Sequence, residues 1–521
     1  FNVNTLNVQD TPKLGKIKLI KKSSNESITK NNKMYDLSGA EYTVYSDKGQ
    51  KNVVGKLVTD KEGNSNVLEL KAGTYYVKET KTAKNFKLDE TVYMIENTLD
   101  LNVLNVKDEP ETIHPDIPQL DIFKYDADTM KTTAQGDGSL EGAEYQVDFY
   151  GDSFDSLEQL KESKVAPLRS WVFKTDKDAK ITLDEAHYVS GDELFKTSKG
   201  TVIVPYGTLD IVEIKAPKGY DKNNTHYLKK IQPLATSETK LTDIVKVGSI
   251  EIAKTATTGA NSELVAMEKG AEFGIVSKKY VDKYGTFEEA MKHTDEYGPK
   301  EFTVITTDES GVARADNLAY GNYIVKQTKV GVSTKEPDKE LDICKDEITV
   351  VIAGKTNEVH HLTFNNVSTR YGIKIVKQNS ETNENITFSS AKFKIKDSKG
   401  NYIKQKVGNK YYDTFVTNSK GEIASIEGLV SKNSSGQYID ETDLLGMVTL
   451  PKQLESGKYT LEEVEAPIGY ILGKNQTFEI NKNVACELDE DGMPIITIIY
   501  QNERAYGELQ IQKSINKTKG D

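Results

Sequence analysis

Ser456-Gly-Lys-Tyr-Thr-Leu-Glu-Glu-Val-Glu-Ala-Pro-Ile-Gly-Tyr470 decides the fold. At period two, Tyr459, Leu461 and Glu463 share one face, and Thr460 and Glu462 share the other. A strand that alternates in this way buries its apolar face. Glu463 is then a carboxylate on the inward stripe, where it needs a partner.

The stretch recurs. Gly73-Thr-Tyr-Tyr-Val-Lys-Glu79 and Gly207-Thr-Leu-Asp-Ile-Val-Glu213 repeat it, the second with Ala216-Pro-Lys-Gly-Tyr220 downstream. Gly321-Asn-Tyr-Ile-Val-Lys-Gln327 repeats it with Gln in place of Glu. Internal repetition of this kind predicts a tandem array of small domains.

Three further markers accompany each copy. A short opening strand ends in an inward Lys: Lys21, Lys124, Lys254 and Lys377, with a fifth at Lys513. A closing strand carries Asn or Asp: Leu101, Val103 and Asn105 are read on one face, Leu241 with Asp243, Leu362 and Phe364 with Asn366, and Ile498 and Tyr500 with Asn502. Between them lies a small residue before an aromatic strand, as in Gly39-Ala-Glu-Tyr42, Gly142-Ala-Glu-Tyr145, Gly270-Ala-Glu-Phe273 and Ser390-Ala-Lys-Phe393. Gly, Asn and Asp turns separate the strands.

The reading is all-β: four tandem β-sandwich domains at 13–110, 118–246, 247–369 and 370–505. Residues 1–12, with Asn7, read as the last strand of a truncated upstream domain. Residues 506–521 read as the first strand of a truncated downstream one. Residues 111–117 form a Pro-bearing linker; elsewhere one unit runs directly into the next, so stiff end-to-end stacking in an elongated array is expected. Short helices are expected in the insertions of domains two and three. There Phe154, Leu157 and Leu160 share a helical face, and Thr286-Phe-Glu-Glu289 has the spacing of a capping box. Such loops could carry a ligand surface or be plain decoration.

Bulk properties exclude several functions. With 521 residues and a formal charge of −12, no basic stripe is present for nucleic acid. No apolar run is long enough to span a bilayer. Cys344 and Cys486 fall in different units and are not expected to pair. Asp489-Glu-Asp-Gly492 lacks the later Glu of a calcium loop, and six scattered His show no metal-ligand spacing, so neither cofactor nor metal is expected.

The chemistry lies in the three inward polar ends. Burial favours neutral Lys and protonated Glu. A neutral amine beside a carboxamide or carboxyl, with an acid to move protons, can undergo acyl transfer to an isopeptide bond. Ammonia leaves from Asn and water from Asp. The event occurs once per domain, so it is self-crosslinking and not enzymatic turnover. The alternative is a buried Lys–Glu ion pair with Asn as a hydrogen-bonding neighbour, or a Lys21 that snorkels to solvent.

The Gly-x-Tyr-x-Leu-x-Glu-x-x-Ala-Pro-x-Gly-Tyr stretch, the opening Lys strand, the Gly-Ala-Glu-Phe/Tyr strand and the closing Asn resemble the Cna-B type (SpaA-like) domains of Gram-positive surface proteins and pilins. The resemblance implies immunoglobulin-like sandwiches and Glu-assisted Lys–Asn/Asp isopeptide bonds. It also implies a cell-wall stalk or adhesin role. Carried onto this chain, Glu79, Glu213 and Glu463 are the proton shuttles for Lys21–Asn105, Lys124–Asp243 and Lys377–Asn502. Lys254–Asn366 faces Gln327, which cannot move a proton, so that unit is expected to lack the bond. The implied protein is extracellular, cell-wall anchored or secreted. Its partners would be a host or matrix ligand, and peptidoglycan or a pilus reached through a missing C-terminal region. A pilus shaft or tip subunit is the first alternative, although a shaft pilin's Tyr-Pro-Lys-Asn type motif is not found. Accessory domains of a larger secreted enzyme are the second.

Overall fold

The computed structural model describes residues 13–117, 120–233, 238–259, 262–419, 445–489 and 492–514. The expected upstream strand at 1–12 lies outside them.

Each unit is a β-sandwich, and its opening strand organises one of the two sheets. In unit one, Leu14–Ser23 lies between Leu68–Lys71, antiparallel, and Leu101–Asp108, parallel. The facing sheet runs Val53–Val58, Glu41–Tyr45, Gly73–Lys81, Val92–Asn97. Unit two sets Ile122–Asp126 parallel to Thr239–Asp243 under a five-stranded sheet. Unit three pairs Val247–Thr258 with Val359–Ser368, and unit four pairs Arg370–Asn379 with Pro494–Asn502, both parallel. First and last strands of every unit are thus immediate neighbours.

Alternation builds the cores. Ile17 and Leu19, Ile250 and Ile252, and Ile373 and Ile375 are fully buried. Each contributes about 1.5–3 kcal/mol relative to exposure. The next inward residue after each apolar pair is the Lys. Lys21, Lys124, Lys254 and Lys377 all have zero exposure, so none snorkels.

One irregularity recurs in all four units. The ladder shifts between Glu41 and Tyr42, Glu144 and Tyr145, Glu272 and Phe273, and Lys392 and Phe393. The shift places Tyr42, Tyr145, Phe273 and Phe393 opposite Glu79, Glu213, Gln327 and Glu463. A bulge re-aims side chains where a ladder ends, and here it lies against the buried polar cluster.

The helical insertion of unit two is Leu157–Ser163, capped by Ser156, with Phe154 and Leu160 packed on Tyr150. In unit three Thr286 caps Phe287–Ala290, and a second helix, Lys278–Tyr284, precedes it. Unit one carries a single helical turn at Glu26–Thr29.

The 111–117 connection is not free of structure. Thr112–Ile113 pairs with Val204–Pro205 of unit two, and Tyr35 stacks on Tyr206 across the junction. Units two and three are tied by Glu301, which accepts from Gly136 N, and by Asp137, which accepts from Asn322 N at 2.9 Å. Between units three and four, Lys339 Nζ donates to Ser456 O at 3.0 Å. Residues 506–514 form no strand. Leu509 and Ile511 there are exposed, because no ladder partner covers them.

Candidate crosslinking sites

Parallel pairing fixes which closing residue meets each Lys. Lys124 pairs with Leu241, Lys254 with Phe364 and Lys377 with Tyr500. Two residues further on, on the same face, stand Asp243, Asn366 and Asn502, each buried. Lys21 pairs with Val106, so the equivalent position in unit one is Asp108. Asp108 is buried and forms an ion pair with Lys21. Asn105 does not take part: it pairs with Ile20 and is exposed on the opposite face. The expected Lys21–Asn105 pair is therefore corrected to Lys21 and Asp108.

The acid arrives from the facing sheet. Lys21 Nζ donates to Glu79 Oε1 at 2.6 Å and Lys124 Nζ to Glu213 Oε1 at 2.9 Å; Lys377 Nζ lies 3.2 Å from Glu463 Oε1. The second carboxylate oxygen is held each time by a backbone N–H ten residues on. Asp89, Asn223 and Gly473 donate to Glu79, Glu213 and Glu463 Oε2 at 2.7, 2.8 and 2.7 Å. This grip aims the first oxygen at the amine.

In unit four Lys377 Nζ donates to Asn502 Oδ1, while Asn502 Nδ2 donates to Glu463 Oε1 and Oε2 at 3.0 and 2.8 Å. Amine, carboxamide and acid are mutually in contact. Burial lowers Lys377 to about 8, against the pull of Glu463. In unit two Lys124 forms an ion pair with Asp243. Burial raises Asp243 to about 7, aided by Glu213 and opposed by Lys124. Much of Asp243 is then protonated near neutrality, the form that can lose water. Burial likewise pushes Glu79 up in unit one. Burial thus favours the neutral form of Lys377 in unit four, and the protonated forms of Glu79 and Asp243 in units one and two.

The aromatic residue at the bulge differs with the acceptor. Asp108 and Asp243 are accompanied by Tyr42 and Tyr145; Asn366 and Asn502 are accompanied by Phe273 and Phe393. Tyr42 OH accepts from Lys21 Nζ and donates to Asp108 Oδ1, both at 3.3 Å. Tyr145 OH accepts from Lys124 Nζ and donates to Glu213 Oε1 at 3.1 Å. The aromatic strand was legible in the sequence; the role of its hydroxyl was not.

Unit three departs from the pattern. Gln327 is buried where the acid strand places it, but its Nε2 donates to Lys329 O at 3.0 Å. Glu272 is paired with Lys329 at the surface. The carboxylate beside Lys254 is Glu268, with Oε2 3.1 Å from Nζ, and both side chains have zero exposure. The strand that carries the acid elsewhere offers only Gln327 here, and a carboxylate from another strand reaches the amine. A sequence signal existed: Leu264, Ala266 and Glu268 alternate like the other acid stripes, but they lie outside the Gly-x-Tyr repeat.

Among the described residues no group of His, Cys, Asp and Glu could hold a metal ion, and no helix is long and apolar enough to cross a membrane. The helical insertion of unit three lines a cavity of about 530 Å³ with Phe287, Met291, Lys326 and Cys344.

Residues 15–109 and 371–491 match the SpaA domain of the prealbumin-like fold. Among curated proteins none matches. Similar solved structures include the Bacillus anthracis TIE protein, 18% identical over 89% of this chain and 69% of that one, with a TM-score of 0.37. BcpA, the major pilin subunit of Bacillus cereus, is 18% identical over 68% of this chain and 100% of its own, with a TM-score of 0.25. The shaft pilin SpaA of Lactobacillus rhamnosus GG is 15% identical over 51% and 100%, with a TM-score of 0.17.

Proposed function

We propose that this chain, whose first and fourth units are SpaA domains of the prealbumin-like fold, is a structural stalk of a Gram-positive surface protein locked by self-formed isopeptide bonds. One observation carries the reading. In units one, two and four a fully buried Lys, a buried Glu from the facing sheet and a buried Asp or Asn on the neighbouring parallel strand converge. A buried ion pair alone adds little stability, because desolvation offsets the attraction. A third polar group at the same register offset each time supports a reaction between Lys and acceptor.

The step is acyl transfer. Neutral Lys377 Nζ attacks Cγ of Asn502 and forms the new amide bond. The bond from Cγ to Nδ2 breaks. Glu463 takes a proton from the attacking amine and passes one to Nδ2, which leaves as ammonia. In units one and two the acceptor is Asp108 or Asp243 and water leaves. Held in contact, the pair has a very large effective molarity, so slow chemistry suffices.

Intact mass tests the proposal. The chain should weigh less than its sequence by at least two waters and one ammonia, and tryptic maps should link Lys21 to Asp108, Lys124 to Asp243 and Lys377 to Asn502. An unmodified mass would reject the mechanism.

A further inference from the structure

Gln327 stands where the other units carry their acid, and it turns away from the amine. Its Oε1 accepts from Cys344 N at 3.2 Å and its Nε2 donates to Lys329 O. The carboxylate is supplied by another strand. Leu264–Lys269 pairs antiparallel with the opening strand, on the edge opposite the closing strand. Thr255 is registered with Met267, so the next position sets Glu268 directly across from Lys254. In the other units the acid crosses from the facing sheet; here it comes from the same sheet as the Lys.

The acid's contacts match those of unit four, while Lys254 Nζ itself donates to Thr255 O at 3.2 Å. Glu268 Oε2 is 3.1 Å from Lys254 Nζ, against 3.2 Å between Glu463 and Lys377. Asn366 Nδ2 donates to Glu268 Oε1 at 2.9 Å, against 3.0 and 2.8 Å for Asn502 and Glu463. A backbone N–H again holds the acid, with Gly331 N donating to Oε1 at 2.7 Å. That approach requires glycine, since a Cβ on Gly331 would stand 2.2 Å from Lys269 O. Unit three adds one feature. Asn366 Oδ1 accepts from Cys344 N at 2.9 Å, so a fixed backbone donor is aimed at the oxygen on which charge would develop. Burial lowers the Lys254 pKa, which favours the free amine.

We propose that unit three forms a Lys254–Asn366 isopeptide bond, with Glu268 as its proton shuttle and the Cys344 N–H as its oxyanion donor. The site is a second solution to the same chemistry, with the acid moved between sheets; the inference rests on the crosslinking reading above. Lys254 Nζ attacks Cγ of Asn366. Glu268 passes its proton to Nδ2, ammonia leaves, and Glu268 recovers a proton from the amine. Gln327 is a spectator.

Tryptic mapping of the unaltered chain should yield a Lys254–Asn366 linked peptide that has lost one ammonia. Glu268→Gln should lose or strongly reduce that link, by about two to four orders of magnitude in rate. The links at Lys124 and Lys377 should persist in that variant. Gln327→Ala should keep all links. If Lys254 and Asn366 are recovered on separate peptides from an unaltered chain that is linked elsewhere, the inference fails alone. A link retained at full yield in Glu268→Gln would overturn the role of Glu268. A chain linked nowhere would overturn the crosslinking reading as well. The unaltered chain supplies the first answer even if a variant does not fold.

Discussion

Asp108 stands two residues beyond Val106, the parallel partner of Lys21, and forms an ion pair with that Lys inside the unit-one core. The same offset relates Lys124 to Asp243, Lys254 to Asn366 and Lys377 to Asn502. In a parallel pair the offset follows from the ladder, so a closing residue one position away points to solvent. Asp108→Ala should therefore abolish the unit-one link, leaving a chain heavier by one water than expected for that change alone. Asn105→Ala should leave the link in place and alter stability by no more than about 0.5 kcal/mol. Peptide mapping of the two variants reads both outcomes. A link at Asn105 would contradict the register.

The repeat, the sandwich class, the four buried Lys and three of the acids could be read from period-two patterns. Three features could not. The unit-one closing strand is apolar on both faces, with Leu101 and Val103 exposed and Leu104 and Val106 turned inward. Alternation therefore could not choose a face, and Asn105 was the nearer polar residue. Glu268 obeys the alternation rule, but its role depends on sheet order, which a strand's own sequence does not carry. The Tyr42 and Tyr145 contacts likewise depend on a bulge between strands distant in the chain.

The tyrosines make a second prediction. Tyr42 OH bridges Lys21 and Asp108, and Tyr145 OH touches both Lys124 and Glu213. A hydrogen bond to a charged group is worth about 1.5–3 kcal/mol. If the hydroxyl serves the reaction, Tyr145→Phe should slow unit-two crosslinking by about tenfold or more. Protein harvested soon after synthesis should then show a fraction heavier by one water, confined to the Lys124 and Asp243 peptides. Full linkage at the earliest time point would show that the hydroxyl only packs.

Lys377 gives a pH dependence with a definite sign. Asn502→Ala removes the acceptor but keeps the burial and the Glu463 contact that set the amine at about 8, against an ordinary 10.5. Below pH 8 the folded state must hold a buried ammonium. Between pH 8 and 10.5 the unfolded chain binds the proton and the folded unit does not, so stability rises with pH across that window. The gain should level off above it, at about 3 kcal/mol or less. Unit-four melting of the Asn502→Ala chain followed from pH 7 to 11 checks this. The unaltered, linked unit carries no titrating amine and should lack the rise.

The last prediction concerns force. Lys377 and the acceptor Asn502 are 125 residues apart in sequence yet lie on adjacent strands at the two ends of unit four. A bond between them closes nearly the whole unit into one loop. A tether attached at the unit's ends then passes from the first strand to the last through the crosslink, and the enclosed chain bears no load. Glu463→Ala should leave the unit unlinked and restore the hidden length, roughly 400 Å of extended chain. Single-molecule pulling should show that length as one added unfolding step in the variant and none from unit four in the unaltered chain. Loss of the loop constraint should also destabilise the unit by about 4–5 kcal/mol. A buried Lys377 without its counter-charge adds to that loss. An equal number of steps in both proteins would show that unit four is held by its core alone.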